Sequence, residues 1–198
     1  MVRSEAQVRQ EWWDVLRPPA DLAHQCGQLV SQQQSEGALD EQKLSQLVRS
    51  IAERPDLWKP LVVVDASRRR YRLIYEDDRI DVWVLSWMPG QGTGFHDHDH
   101  SEVALMCVQG TILEKQMMLP TGASRIEMRP GHVRTGGAGY IHAVSHLEGE
   151  PAVSLHAYSP PLIHVGQYVV DERGVLERKI EHGRRELMDH TIESIVGE

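Results

Sequence analysis

The stretch "GFHDHDHSEVALMCVQG", residues 94–110, joins a histidine-rich segment directly to an apolar one. Its three histidines, His96, His98 and His100, stand at alternate positions. Alternate side chains of an extended strand lie on one face, and imidazoles that share a face are good ligands for a divalent metal ion. The stretch therefore indicates a metal site on a strand.

Glycines punctuate this stretch and a second one further along the chain. Five residues separate Gly90 from His96, and Gly110 closes the apolar run. In the second stretch, "GHVRTGGAGYIHAVSH", residues 131–146, a run of glycines precedes His142. Glycine adopts the backbone angles that tight turns require, so both stretches are predicted to form strands bounded by turns.

Helices are predicted before these stretches. The segment "LDEQKLSQLVRSIAERP" places apolar residues at the i, i+3, i+4, i+7 spacing of a helix, with Asp40 as its N-cap and Pro55 as its stop. A weaker pattern predicts a helix over residues 20–34. The N-terminal third of the chain is therefore expected to be helical.

Strands are predicted in the middle of the chain. "RIDVWVLSW" alternates, and further β-type runs follow at "EVALMCVQGTILEKQMML", "SRIEMRP", "YIHAVSH" and "AVSLHAYS", with Gly and Pro turns between them. "YVVDERGVLERK" predicts a hairpin that turns near Gly174. Many short strands without intervening helices favour an antiparallel barrel or sandwich over a parallel sheet.

Composition excludes several classes of protein. We expect a single domain over residues 1–198, a length that supports one full core. The formal net charge is −8, and nucleic-acid binding needs clustered Lys and Arg, so nucleic acid is not an expected partner.

No apolar run has the length of a signal peptide or a membrane span, which predicts a cytoplasmic protein without membrane contact. Cys26 and Cys107 lack paired spacing, which excludes a disulfide framework.

The two histidine stretches resemble the paired motifs of the cupin superfamily, whose first motif supplies a His-x-His pair and whose second supplies a further His from a facing strand. Gly137 and His146 stand where cupins usually carry proline and asparagine. The resemblance implies a mainly β fold, a cupin-type antiparallel β-barrel (double-stranded β-helix or jelly roll) with N-terminal helices. Residues 1–60 then form the helical region, 61–180 the barrel and 181–198 a C-terminal helix.

The glycine spacing of the cupin motif selects His96 and His98 as the ligand pair and leaves His100 just outside it. A typical cupin adds a glutamate four or five residues after the second His, where this chain has Glu102 and Val103. The forward count to the closing glycine selects Val103, and the side chain of Glu102 then points to the other face. The ligand set implied by the resemblance, without a carboxylate, is His96, His98 and His142.

A second cluster is similar to one cupin family. "SLHAYSPPL", residues 154–162, and "FHDHDHS" resemble two signatures of the cysteine dioxygenase family of thiol dioxygenases. The resemblance implies Fe(II) on the three histidines, and a hydrogen-bonded chain of Ser154, His156 and Tyr158 that presents a phenol to the metal site. Independently of the family, these three residues alternate along a strand and share a face.

The residue that binds the substrate carboxylate is left open. Members of the family that act on cysteine use an arginine on an early strand, and matching back from "DVWVLSW" puts Arg70 or Tyr71 there, with Arg72 next. Arg70 and Arg72 share one face of a strand and Tyr71 lies on the other, so the register decides which enters the site. Val103 occupies the position of the cysteine that mammalian members cross-link to their tyrosine, so no such cross-link is expected here.

The sequence therefore predicts an Fe(II)-dependent thiol dioxygenase, a monomer or weak homodimer, that adds both atoms of O2 to the sulfur of a small thiol such as cysteine or 3-mercaptopropionate. The product is a sulfinate. Three alternatives stay open: a biosynthetic relative with a different product, a non-catalytic cupin that binds a metal or small ligand, and a zinc or nickel cupin with isomerase or hydrolase activity. The row ending in Tyr158 favours an enzyme, because a binding protein needs no phenol aimed at the metal.

Overall fold

The computed structural model describes residues 18–118 and 122–182, and its first elements are the predicted helices. The second helix begins where Asp40 accepts a hydrogen bond from the Lys43 N–H at 2.9 Å. Pro55, predicted to end that helix, instead opens a third, because proline fits the first turn of a helix. None of these helices is long and apolar enough to span a membrane. The helices are α1 (Ala20–Ser31), α2 (Glu41–Ala52) and α3 (Pro55–Trp58), and a 3-10 turn (Lys59–Leu61) follows.

In the described residues the strands form two antiparallel sheets. The strands are β1 (Arg70–Glu76), β2 (Asp81–Trp87), β3 (Gln91–Gly92), β4 (Phe95–Asp97), β5 (Glu102–Gln109), β6 (Ile112–Met118), β7 (Gly122–Met128), β8 (Val133–Gly136), β9 (His142–His146), β10 (Ala152–Ser159), β11 (His164–Val170) and β12 (Leu176–His182). One sheet has the order β1-β2-β10-β5-β8, and the other has the order β12-β11-β4-β9-β6-β7, with β3 also paired to β9.

The core has two parts, one between the sheets and one between the five-stranded sheet and the helices. Strand β2 contributes to both. Its residues Val82 and Val84 pack outward against the helices, and Trp83, Leu85 and Trp87 face inward. Both faces of β2 are therefore buried, which explains why apolar residues occupy both faces of this strand although its side chains alternate.

This arrangement is the cupin barrel that the histidine stretches imply, and the predicted C-terminal hairpin forms one edge of its second sheet. Strands β11 and β12 pair antiparallel, and the turn between them uses Gly174 at φ +79°. Strand β12 runs through His182, two residues beyond the predicted end of the barrel. The predicted C-terminal helix, from residue 183 onward, lies outside the described residues.

Candidate metal centre

The structure brings together the three predicted histidines, His96, His98 and His142. His96 on β4 lies directly opposite His142 on β9, and His98 follows β4 immediately. All three side chains are buried, and one ring nitrogen from each lies within 4.8 Å of the other two. The Nε2 atoms of His98 and His142 are 3.3 Å apart. His100 stays outside this cluster, with 90% of its side chain exposed beside Asp99.

The protonation of the cluster fits a transition-metal ion. Burial lowers the pKa of His98 well below its usual value, and burial lowers the pKa of His142 to about 4 even though Glu114 opposes this. Two of the outer nitrogens have partners: His96 Nδ1 lies 3.0 Å from the Gly94 carbonyl oxygen, and His142 Nδ1 lies 2.8 Å from Glu114 Oε1. In these two rings Nδ1 then carries the hydrogen and Nε2 keeps its lone pair for a metal. Neutral imidazoles suit transition metals such as iron, zinc, nickel and copper, and three of them leave coordination positions open.

Among the residues that the structure describes, the group of possible metal ligands consists of the three histidines without a carboxylate. Val103 is fully buried in the barrel interior, directly opposite Tyr158 on β10. Glu102 faces away from the interior, where burial and the neighbouring Glu41 both raise the pKa of its carboxyl group. The one-residue difference in register is therefore what keeps the ligand set free of a carboxylate.

The residues Ser154, His156 and Tyr158 alternate along β10 and form the predicted hydrogen-bonded chain. Ser154 Oγ lies 2.9 Å from His156 Nε2, and His156 Nδ1 lies 3.2 Å from the Tyr158 hydroxyl oxygen. Burial lowers the pKa of His156 well below its usual value. The ring is therefore neutral, so one of its nitrogens donates while the other accepts.

Trp87 gives this chain a direction. Its indole N–H only donates, and it lies 2.8 Å from Ser154 Oγ, so the serine oxygen accepts there and its own hydrogen is available to His156 Nε2. A neutral His156 that accepts at Nε2 donates from Nδ1 to the oxygen of Tyr158. This direction leads towards the histidine cluster, where the rings of Tyr158 and His98 have centroids 5.0 Å apart.

Arg69 is the arginine that reaches the cavity beside the histidines. Only 4% of the residue is exposed, and its guanidinium carbon lies 4.9 Å from the centre of the Trp87 ring, a cation–π distance. The position immediately precedes β1. The lining of the cavity includes Arg69, Trp87, His96, His156, Tyr158 and Leu162.

The predicted candidates Arg70 and Arg72 lie on the outer face of β1, which corrects the expectation that one of them enters the site. Arg70 Nε donates to Asp65 Oδ2 at 2.9 Å, and an Arg72 nitrogen lies 3.3 Å from the Tyr71 carbonyl oxygen. Tyr71 alternates with them and packs edge-on against a buried tryptophan in the interior. Because neighbours along a strand face opposite sides, Arg69 shares the inner face with Tyr71.

The segment between the first two histidines is held by the C-terminal hairpin. Asp97 accepts two hydrogen bonds from the Arg178 guanidinium, each 2.7 Å, and a third from the Tyr168 hydroxyl at 2.7 Å. Burial raises the pKa of Asp97, but these bonds outweigh it and lower the pKa to about 2. A Cβ atom at Gly166 would lie 2.2 Å from Arg178 Nε. The absence of a side chain at this position therefore makes room for the guanidinium group to cross strand β11.

Three residues of the site were missed from the sequence: Arg69, Trp87 and Glu114. A signal existed for Arg69, because it belongs to the arginine run that precedes β1, one position from the residue chosen. A weaker signal existed for Glu114, because an acidic residue directly after two apolar residues of a predicted strand, in "TILEK", needs partners when it is buried. Trp87 gave no signal, since a tryptophan in an apolar strand is ordinary core.

The chain is similar to several known proteins. A family model described as cysteine dioxygenase type I matches residues 14–171. Cysteine dioxygenase type 1 of Danio rerio is 29% identical over 137 residues, covering 63% of this chain and 67% of that protein. The Homo sapiens protein of the same name is 27% identical over 163 residues, covering 76% and 80%. A solved cupin superfamily protein from Desulfitobacterium hafniense aligns with a TM-score of 0.45 at 15% identity, covering 52% of this chain and 86% of that one.

Proposed function

The chain belongs to the cysteine dioxygenase type I family, and on that premise we propose that it is an Fe(II)-dependent dioxygenase of a small thiol that carries a carboxylate. The reaction is RSH + O2 → RSO2H, in which both oxygen atoms end on sulfur and the product is a sulfinate. The observation that carries the proposal is the directed chain from Trp87 to Tyr158, which ends beside the histidine cluster.

His96, His98 and His142 would hold the metal, and a bound Fe(II) ion supplies open positions for a thiolate and for dioxygen. The other residues of the site have roles in position and proton transfer. Tyr158 presents its phenol hydrogen to the reacting atoms, and His156 fixes the direction of that hydrogen. The buried surroundings exclude water, which strengthens each of these hydrogen bonds.

The charge of the cavity supports an anionic substrate. Arg69 is the one cationic residue among the described residues that line the cavity, and that lining includes no carboxylate. A guanidinium pairs with a carboxylate through two parallel hydrogen bonds, and stacking on Trp87 orients it for this. A thiol carboxylate without an amine, such as 3-mercaptopropionate, therefore matches the cavity better than cysteine, whose ammonium group finds no anion there.

The experiment that tests the proposal measures oxygen uptake by the Fe(II)-loaded protein with 3-mercaptopropionate, cysteine, homocysteine and cysteamine. Products are then analysed by mass in ¹⁸O2. We expect uptake with the thiol carboxylates and a product that gains two labelled oxygen atoms. Absence of uptake with every thiol would overturn the proposal in favour of a non-catalytic cupin. A product with other than two labelled atoms would favour a biosynthetic relative.

We predict that Arg69→Ala raises the KM for 3-mercaptopropionate more than it lowers kcat. Removing one partner of a buried charge pair costs about 2–5 kcal/mol, which is about 30-fold or more in kcat/KM. Steady-state oxygen uptake measures both constants. The matched control is Arg70→Ala, which removes an arginine paired with Asp65 outside the cavity and is expected to leave both constants unchanged. Equal losses in the two variants would contradict the assignment of Arg69.

A further inference from the structure

Glu114 on β6 stands directly behind the histidine cluster. None of its side chain is exposed, and Oε1 lies 2.8 Å from His142 Nδ1. The Tyr140 hydroxyl donates to the same oxygen at 2.7 Å, and Arg134 Nε donates to Oε2 at 2.8 Å. Glu114 is therefore a buried carboxylate that forms an ion pair with Arg134 and is in direct contact with one histidine of the cluster.

The surroundings of Glu114 are built to hold it. Arg134 lies on β8 of the five-stranded sheet and Glu114 on the other sheet, so their ion pair joins the two sheets. Arg134 also donates to Gln116 on β6 at 3.0 Å. A Cβ atom at Gly136 would lie 2.1 Å from the Tyr140 ring, so the glycine makes room for the tyrosine to pack there. Two sheets and a loop thus converge on one carboxylate.

The Nδ1 nitrogens of the other two histidines differ in their hydrogen bonds. His96 Nδ1 meets the neutral carbonyl oxygen of Gly94, and His98 Nδ1 meets no hydrogen-bond partner among the residues that the structure describes. The Nδ1 atom of His142, in contrast, lies beside the carboxylate of Glu114. A carboxylate on the outer nitrogen of a metal-bound imidazole fixes its tautomer and makes the inner nitrogen a stronger donor.

We propose that Glu114 is a positioning residue that orients His142 and, through it, supplies the metal with the negative charge that the ligand set lacks. A typical cupin brings this charge with a glutamate that binds the metal, and here Val103 stands in its place. Arg134 moderates the charge of Glu114 from its other oxygen. The inference rests on the proposed function only in requiring a divalent metal on the three histidines.

The test replaces Glu114 by glutamine, which keeps the shape and an acceptor oxygen but removes the charge. Fe(II) affinity is measured without oxygen or thiol by competition with a chelator, and the Fe(III)/Fe(II) midpoint potential is measured on the same protein. We expect the affinity to fall by about 10–100-fold. The midpoint potential is expected to rise, because a lost anion destabilises Fe(III) more than Fe(II). The control is Glu127→Gln, an exposed glutamate on the adjacent strand β7, which should change neither quantity.

A second variant separates a charge effect from simple loosening of the structure. Arg134→Gln removes the cation that moderates Glu114, while the bonds from Tyr140 and His142 remain. The midpoint potential is then expected to fall, opposite to the shift in Glu114→Gln. A purely structural role predicts shifts of the same sign in both variants, and that result would overturn the inference. If Glu114→Gln does not fold, the direction of the shift in midpoint potential of Arg134→Gln tests the inference by itself.

The inference and the proposed function fail separately. If the unmodified protein binds no Fe(II), the proposed function and the inference both fall. If it binds Fe(II) and oxidises the thiol while Glu114→Gln keeps the wild-type affinity and midpoint potential, the inference alone is wrong. If it binds Fe(II) and oxidises no thiol, the shifts caused by Glu114→Gln and Arg134→Gln still test the inference.

Discussion

Replacing His98 by alanine is expected to remove both tightly bound iron and all thiol-dependent oxygen uptake. One of the three proposed ligands is then missing, and loss of an outer hydrogen-bond partner alone already costs about 10–100-fold in metal affinity. We therefore expect the affinity of His98→Ala for Fe(II) to fall by more than about 100-fold. The affinity is measured by chelator competition, and oxygen uptake is measured on the same sample.

The histidine-rich stretch supplies its own control. His100 lies two positions further along the same alternation, and 90% of its side chain is exposed outside the cluster. His100→Ala should keep full affinity and activity. If His98→Ala retained iron and activity while His100→Ala lost them, the assignment of the ligand pair would be reversed.

Thermal unfolding separates loss of metal from loss of fold in these variants. A metal that binds only the folded state stabilises the protein by about 2.7 kcal/mol at 100 times its Kd. We expect Fe(II), added without oxygen, to raise the Tm of the unmodified protein and of His100→Ala. The Tm of His98→Ala should not respond, although its metal-free form still unfolds cooperatively.

Tyr158→Phe is expected to lower kcat by about 10²–10⁴-fold while the protein still binds iron. That range is typical of a residue that transfers a proton in the transition state. The phenyl ring keeps the packing against Val103 and His98, so the change removes the hydroxyl and little else. Single-turnover oxygen uptake and the Fe(II) affinity are the two measurements, and they should respond differently.

A tyrosine elsewhere on the sheet provides the matched comparison. Tyr75 lies on β1, and its hydroxyl donates to Asp77 at 3.1 Å, away from the cavity. Tyr75→Phe should leave kcat unchanged. If Tyr158→Phe also turned over 3-mercaptopropionate at the normal rate, the role of the hydrogen-bonded chain would be lost, and the metal site would stand without it.

Patterns within short segments were enough to predict the fold class and the three histidines that the structure brings together. Period-two alternation and glycine turns predicted the strands, because strand periodicity and tight turns are properties of a few neighbouring residues. The resemblance of the spacing from Gly90 to Gly110 to the cupin motif separated His98 from His100. The alternation of Ser154, His156 and Tyr158 is local in the same sense, and the structure brings them together as hydrogen-bonded neighbours.

Which arginine faces the cavity, and which carboxylate stands behind the three histidines, depended on tertiary contacts. In the arginine run, a shift of one residue moves every side chain to the other face, and the pairing of β1 with β2 put Arg69 inside and Arg70 outside. Glu114 and Arg134 come from different sheets, 20 residues apart in the chain. Strand register and contacts between sheets depend on how distant segments pack, which the pattern of neighbouring residues does not contain.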